Sequence, residues 1–151
     1  MTRTDVDKGT TLDVHTVIAQ RLPGAGPYGH EQTSEAARSL RELADYLAQA
    51  TDHGEALPDP VTVDNVLRGL QAAARDHRPL LEHLAHFADA QSGDRTLNDD
   101  RPDRDVRDTI GELSVVLGEA DHAAQVLAAR LAEATALNAH LRRDDPRAAQ
   151  Q

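Results

Sequence analysis

"VRDTIGELSVVLGEADHAAQVLAARLAEATALNAHL", residues 106–141, sets the architecture of this chain. Steps of four and three from Val106 reach Ile110, Leu113, Leu117, Ala120, Ala124, Leu127, Leu131, Ala134, Asn138 and Leu141. Ten of these eleven positions are apolar, and Asn138 is the exception. The residues between them include Arg107, Asp108, Glu112, Asp121, Gln125, Arg130 and Glu133. A seam at that spacing stays on one side of an α-helix and calls for a coiled-coil-like partner. Asp103 and Asp105 at one end and His140, Arg142 and Arg143 at the other match the helix macrodipole. One helix is expected over 103–142, with Gly111 and Gly118 as weak points inside it.

The same step occurs upstream. Val63, Leu67, Leu70, Ala74, His77, Leu81, Leu84 and Ala88 keep phase across Pro79. Asp59-Pro60 reads as an N-cap followed by proline at the first helical position, and Gly93 as a terminator. Pro79 removes a backbone donor, so this arm is either one kinked helix or two helices broken near 77–79; unbroken phase favours the kink. A shorter arm carries Ala36, Leu40, Leu43, Leu47 and Ala50, capped by Thr33 or Ser34 and stopped by Gly54. Arg38 with Glu42, and Arg41 with Asp45, are spaced as ion pairs on its outer face. Before it, Leu12, Val14, Val17, Ile18 and Leu22 suggest a short helix ending at Pro23.

The expected fold is all-α: an elongated antiparallel three-helix bundle with heptad seams and a short N-terminal helix, or a four-helix bundle if that helix folds back. One domain spans 11–143, and residues 1–10 and 144–151 have too little to bury and are expected to be disordered. The aromatic share is 2%, so the core has to be built from aliphatic and small side chains.

Charge and composition narrow the function. A net charge of -10 repels phosphate backbones and anionic lipid, so neither nucleic acid nor membrane is an expected partner. The chain has no cysteine, which removes disulfides, thiolate nucleophiles and cysteine-ligated metal sites. The N-terminal residues lack the apolar run of a signal peptide, and no stretch approaches the roughly 20 apolar residues of a membrane span; a cytoplasmic protein is expected. Lys8 is the only lysine, and the remaining positive charge is arginine set among abundant Ala, Asp and Gly. In that composition the chain resembles small all-helical proteins, of no assigned activity, from high-GC actinobacteria.

Candidate chemical sites are sparse. Glu119 and His122 form the E-x-x-H of di-iron bundles, but they point away from the seam and no second copy exists. His83 and His86 could clamp a metal from one helix, yet they too lie off the seam. His77 falls on the seam beside Pro79, where it is expected to satisfy a carbonyl freed by the proline. Asn138 either fixes register or is wetted at a fraying end, and the fraying end is favoured. "DRTLNDDRPDRD", residues 94–105, has oxygen ligands without the spacing of a calcium loop. In "RLPGAGPYGHEQ", residues 21–32, no lysine follows the glycines to meet a phosphate, so the stretch reads as a joint. Tyr28 is expected to anchor that joint on the bundle, with a surface formed by Tyr28 and His30 as the alternative.

No cofactor, metal site or catalytic set is expected. The function expected is non-catalytic: protein–protein interaction or self-association along an Ala-rich seam. The alternative is a small-molecule- or metal-sensing bundle using the His77–Phe87 region. Tyr28, His30, His77, Pro79, His83, His86 and Asn138 are the candidate interaction or hinge residues.

Overall fold

The structure, a computed structural model, describes residues 14–21, 28–94 and 96–141. Expectations for 1–10, Leu12, residues 22–27, Arg142, Arg143 and 144–151 lie outside the described residues. The chain is an all-α helical bundle with no strand among the described residues. It divides into two compact units, residues 1–56 and 57–151.

The first unit holds α1 (Val14–Arg21), α2 (His30–Asp52) and a single 3-10 turn, Gly54–Ala56. α2 starts at His30, upstream of the expected cap at Thr33 or Ser34. Gly29 is the N-cap in an extended conformation, and the Thr33 hydroxyl donates back to the Gly29 carbonyl at 3.0 Å. Glycine is an acceptable cap because its backbone is freely hydrated, and the threonine is used one turn inside. Arg38 pairs backwards with Glu35 at 2.5 Å, in place of the expected Glu42, while Arg41 meets Asp45 at 3.7 Å. These exposed pairs contribute about 0.3–0.5 kcal/mol each. α2 has no buried residue, although Leu40, Leu43 and Leu47 line up on one stripe.

The second unit is a helical hairpin of α3 (Pro60–Gln91) and α4 (Val106–Asn138) joined by residues 92–105. α3 begins as expected: the Asp59 side chain accepts from the Thr62 N–H at 2.8 Å and Pro60 occupies the first turn. It runs unbroken through Pro79, which resolves the choice between a kinked and a broken arm in favour of one helix. α4 is shorter than the expected 103–142. Asp105, whose carboxylate accepts from the Arg107 N–H at 2.9 Å, is the cap, and the preceding residues fold as a turn.

Three contacts give the direction and level of the two helices. Asn138 bonds to Pro60, Arg78 to Asp121, and Ser114 to Asp89. Residue number rises along one helix as it falls along the other, so the pair is antiparallel. Arg78 reaches Asp121 with two bonds, 2.9 and 3.4 Å, and Ser114 donates to Asp89 at 2.5 Å.

Gly111 and Gly118 lie in the α4 interior, where a Cβ would meet nothing within 4 Å. Glycine costs a helix about 0.8–1 kcal/mol relative to alanine. The G111A/G118A double variant is therefore expected to gain about 1.5–2 kcal/mol, read as a higher denaturation midpoint with an unchanged circular dichroism spectrum.

Candidate functional site

The contact between α3 and α4 is built on small side chains. The buried apolar residues are Ala74 and Ala88 on α3 and Ile110 and Ala128 on α4, and among the described residues no side chain is completely buried. Alanines at the contact let two helices approach closely, which brings the flanking polar residues within reach of each other. Most of the expected seam lies in this contact, with both helices turned slightly from it. On α4 the covered positions run through Ile110, Ser114, Leu117, Asp121, Ala124 and Ala128 to Leu131, Thr135 and Asn138, with Val106, Thr109, Ala120, Ala132 and Ala134 half-covered beside them. Leu113 and Leu127 of the expected seam are left outside, Leu127 with 52% of its surface exposed. On α3 the shift is the same: Gln71 and Ala85 are more covered than the expected Leu70 and Leu84.

The result is a second apolar stripe on each helix. On α3 it runs through Val66, Leu70, Ala73, His77, Leu80, Leu84 and Phe87, and on α4 through Leu113, Val116, Ala120, Ala123, Leu127 and Ala134. At about 100° per residue, each stripe lies roughly a quarter turn from the α3–α4 contact, towards the same rotational sense. Because the helices are antiparallel, the same sense on each brings both stripes to one side of the hairpin. The side chains bear this out near the loop, where Leu84 and Phe87 of α3 and Leu113 and Leu117 of α4, with Leu97 from the loop, line one apolar groove of about 330 Å³. Phe87, the only phenylalanine, is 64% exposed there. Sequence reasoning missed Leu80, Val116 and Leu97. The available signal was the width of the apolar stripe, since Val66, Leu80 and Val116 lie off the seam yet are apolar.

The other candidate residues are dispersed. Tyr28 is 82% exposed. His30 is the exposed first residue of α2. His77 is half-buried and its Nδ1–H donates to the Ala73 carbonyl at 2.5 Å. That corrects its expected role: the carbonyl that Pro79 deprives of a donor is that of Arg75, whereas the ring folds back onto its own preceding turn. Pro79, His83 and His86 are exposed, and neither of these two histidines lines the groove. Glu119 and His122 are exposed, and among the described residues no group of three or more His, Cys, Asp or Glu could hold a metal ion.

No family model, curated protein or solved structure matches this chain.

Asn138 closes the end of the hairpin away from the loop. It is only 7% exposed and its Nδ2–H donates to the Pro60 carbonyl at 2.8 Å. The expected wetted, fraying end is thus replaced by a cross-helix bond, because the polar seam position lies level with the first turn of α3. Asn138→Ala is expected to cost about 1–2 kcal/mol in urea denaturation, the usual loss for a buried hydrogen bond.

The loop end is held by Asp99, whose side chain is 4% exposed. Its carboxylate accepts from the Arg101 N–H at 2.9 Å, from Arg101 Nε at 2.8 Å and Nη2 at 2.7 Å, and from the Thr109 hydroxyl. The Arg101 side chain, Thr109 and the Arg101 N–H, in that order, hold Asp99 well below the usual carboxylate range against the opposing effect of desolvation. A carboxylate whose folded pKa is depressed adds stability that is fully present above its unfolded value, about 3.9, and is lost as pH falls further. Asp99→Asn is therefore expected to be less stable than wild type at neutral pH. The gap between their urea midpoints should narrow as pH falls below about 4. A gap constant with pH would contradict the assignment.

Proposed function

We propose that this is a non-catalytic protein that works through protein–protein contact, with the joint apolar face of α3 and α4 as the docking surface. The observation that carries this reading is the continuity of exposed apolar side chains across both long helices, from Phe87 and Leu84 through Leu80 to Leu127. An apolar surface of that extent, rimmed by Glu112, Glu119 and Asp76, is typical of an interaction site. The net charge of -10 favours a protein partner over nucleic acid or an anionic membrane. No helix of the described residues is long and apolar enough to cross a membrane. A cytoplasmic location accords with the absence of cysteine.

The test is capture of proteins from the native host on the full chain, compared with the L80E/L127E variant. Specific capture of any protein, including further copies of this chain, that is lost in the variant supports the reading. Capture that is equal for the two, or absent from both, contradicts it.

A second reading is favoured by the groove alone: its lining at Leu84, Phe87, Leu97 and Leu113 suits an apolar small molecule. Thermal shift against apolar ligands and metals, repeated with Phe87→Ala, distinguishes it. A ligand-induced rise in Tm that the variant abolishes would favour the sensor.

A further inference from the structure

Resting on the docking role proposed above, we infer that the partner for this face is a second copy of the same chain, the two hairpins packing face to face as a four-helix bundle. The first argument is the matching of side-chain size by level. The three cross-helix contacts place Leu80 level with Ala120, Ala73 with Leu127, and Val66 with Ala134. Each of these three levels presents one larger and one smaller side chain, whereas nearer the loop both are large, Leu84 level with Val116 and Phe87 with Leu113. A copy related by a two-fold axis running across the helices sets the bulky loop end of one hairpin against the large–small levels of the other. The volume between the hairpins then varies less along their length than it would with the two loop ends together, as close packing favours.

The second argument is area. Helices of 32 and 33 residues are about 48 Å long. Two of them side by side, with axes about 9 Å apart, give a strip about 18 Å wide. Such a face covers about 850 Å² per copy, close to the roughly 800 Å² per partner of a stable, specific interface.

The third argument is chemistry. A two-fold interface is isologous, so each charged group in it meets the same surface that presents it. Of the stripe positions between Val66 and Phe87 only His77 is polar, and between Leu113 and Ala134 on α4 only Arg130 is charged, already paired with Glu133 at 2.8 Å. The apolar stripes themselves therefore carry no row of like charges to repel a copy, and the acidic rim of Glu112, Glu119 and Asp76 is exposed, where water and salt screen it. The hairpin also needs cover, because its own contact buries only three alanines and one isoleucine as apolar residues.

Sedimentation equilibrium of the full 151-residue chain tests the inference, with L80E/L127E and L80K/L127K made in the same background. Wild type is expected to sediment at twice the chain mass at micromolar concentrations and to dissociate on dilution. Each charged variant alone is expected to require at least about 100-fold higher concentration to associate, because burying a charge without a partner is costly. An equimolar mixture of the two is expected to recover the dimer, which a variant that had merely failed to fold could not do. Wild type that is monomeric throughout overturns the inference, whether the face is open or covered by another segment of the same chain. So does a dimer that both charged variants leave intact. If wild type is monomeric yet captures a host protein through Leu80 and Leu127, the self-association fails and the docking role survives; if that capture fails too, both fall.

Discussion

Replacing Ile110 by alanine is expected to lower the unfolding free energy by about 2–4 kcal/mol, the cost of removing a large side chain from a packed site without refilling it. Ile110 is the one large aliphatic side chain among the buried apolar residues, at 9% exposure, and the others are alanines. It sits in the second turn of α4, where it lines the groove beside Ala88, Leu84 and Leu117. Its groove neighbours Leu84 and Leu113 are partly exposed and can lean into the vacated space, which sets the lower end of that range. In a unit of this size each 1 kcal/mol moves Tm by about 4–8 °C, so a fall of at least about 8 °C is expected in a far-ultraviolet melt. Ile110→Val keeps most of the volume and should lose only about 0.5–1.5 kcal/mol. All three proteins have to be compared at one concentration, since association adds to apparent stability by mass action. A loss below about 1 kcal/mol for the alanine variant would mean that the α3–α4 contact is not where the unit's stability resides.

The second large effect runs in the opposite direction. Pro79→Ala is expected to raise stability by about 1–3 kcal/mol. Proline inside a helix costs about 3 kcal/mol because it has no N–H to give the carbonyl four residues earlier and its ring crowds that turn. Here the carbonyl is that of Arg75, and α3 continues on both sides of the proline. Pro79 is exposed and lies on the side of α3 opposite the second apolar stripe, so the substitution removes no packing from either contact. His77 keeps its bond to Ala73, which does not depend on the proline. A higher Tm with a slightly larger helical signal is the expected result. A lower Tm would show that the course Pro79 imposes on α3 is required for its fit to α4.

The long helices were legible in the sequence because their signals are local and redundant. A proline at the first turn after Asp59, a 4-3 apolar repeat and a capping aspartate each point to a helix by themselves. Where the helices face was less legible. A stripe wide enough for two neighbours contains more than one acceptable seam, and the choice between Leu113 and Ser114, or Leu127 and Ala128, depends on how close the partner helix comes. That distance is set by Ala74, Ala88 and Ala128 acting together across the pair. Choosing the most apolar seam picks every leucine on it, whereas the helices meet most closely on the alanines and leave Leu70, Leu84, Leu113 and Leu127 outside. Asn138 was misread for a related reason. Its partner is a backbone carbonyl 78 positions away, which no local pattern encodes. The loop residue Asp99 gave no periodic signal either, and its role emerges only once Arg101 and Thr109 are brought around it.

The central claim is that the apolar face formed jointly by α3 and α4 is covered when the protein is assembled. The chain has no cysteine, so a single introduced thiol can report on a chosen position without background. Leu127→Cys places a thiol on that face, and Val115→Cys places one on the exposed opposite side of the same helix. The most direct measurement is the rate of thiol labelling of each variant as protein concentration is raised through the association range. The rate for the Leu127→Cys protein is expected to fall as the dimer forms, while the rate for the Val115→Cys protein stays constant. Labelling at both positions that is equally fast and unchanged by concentration would contradict the account.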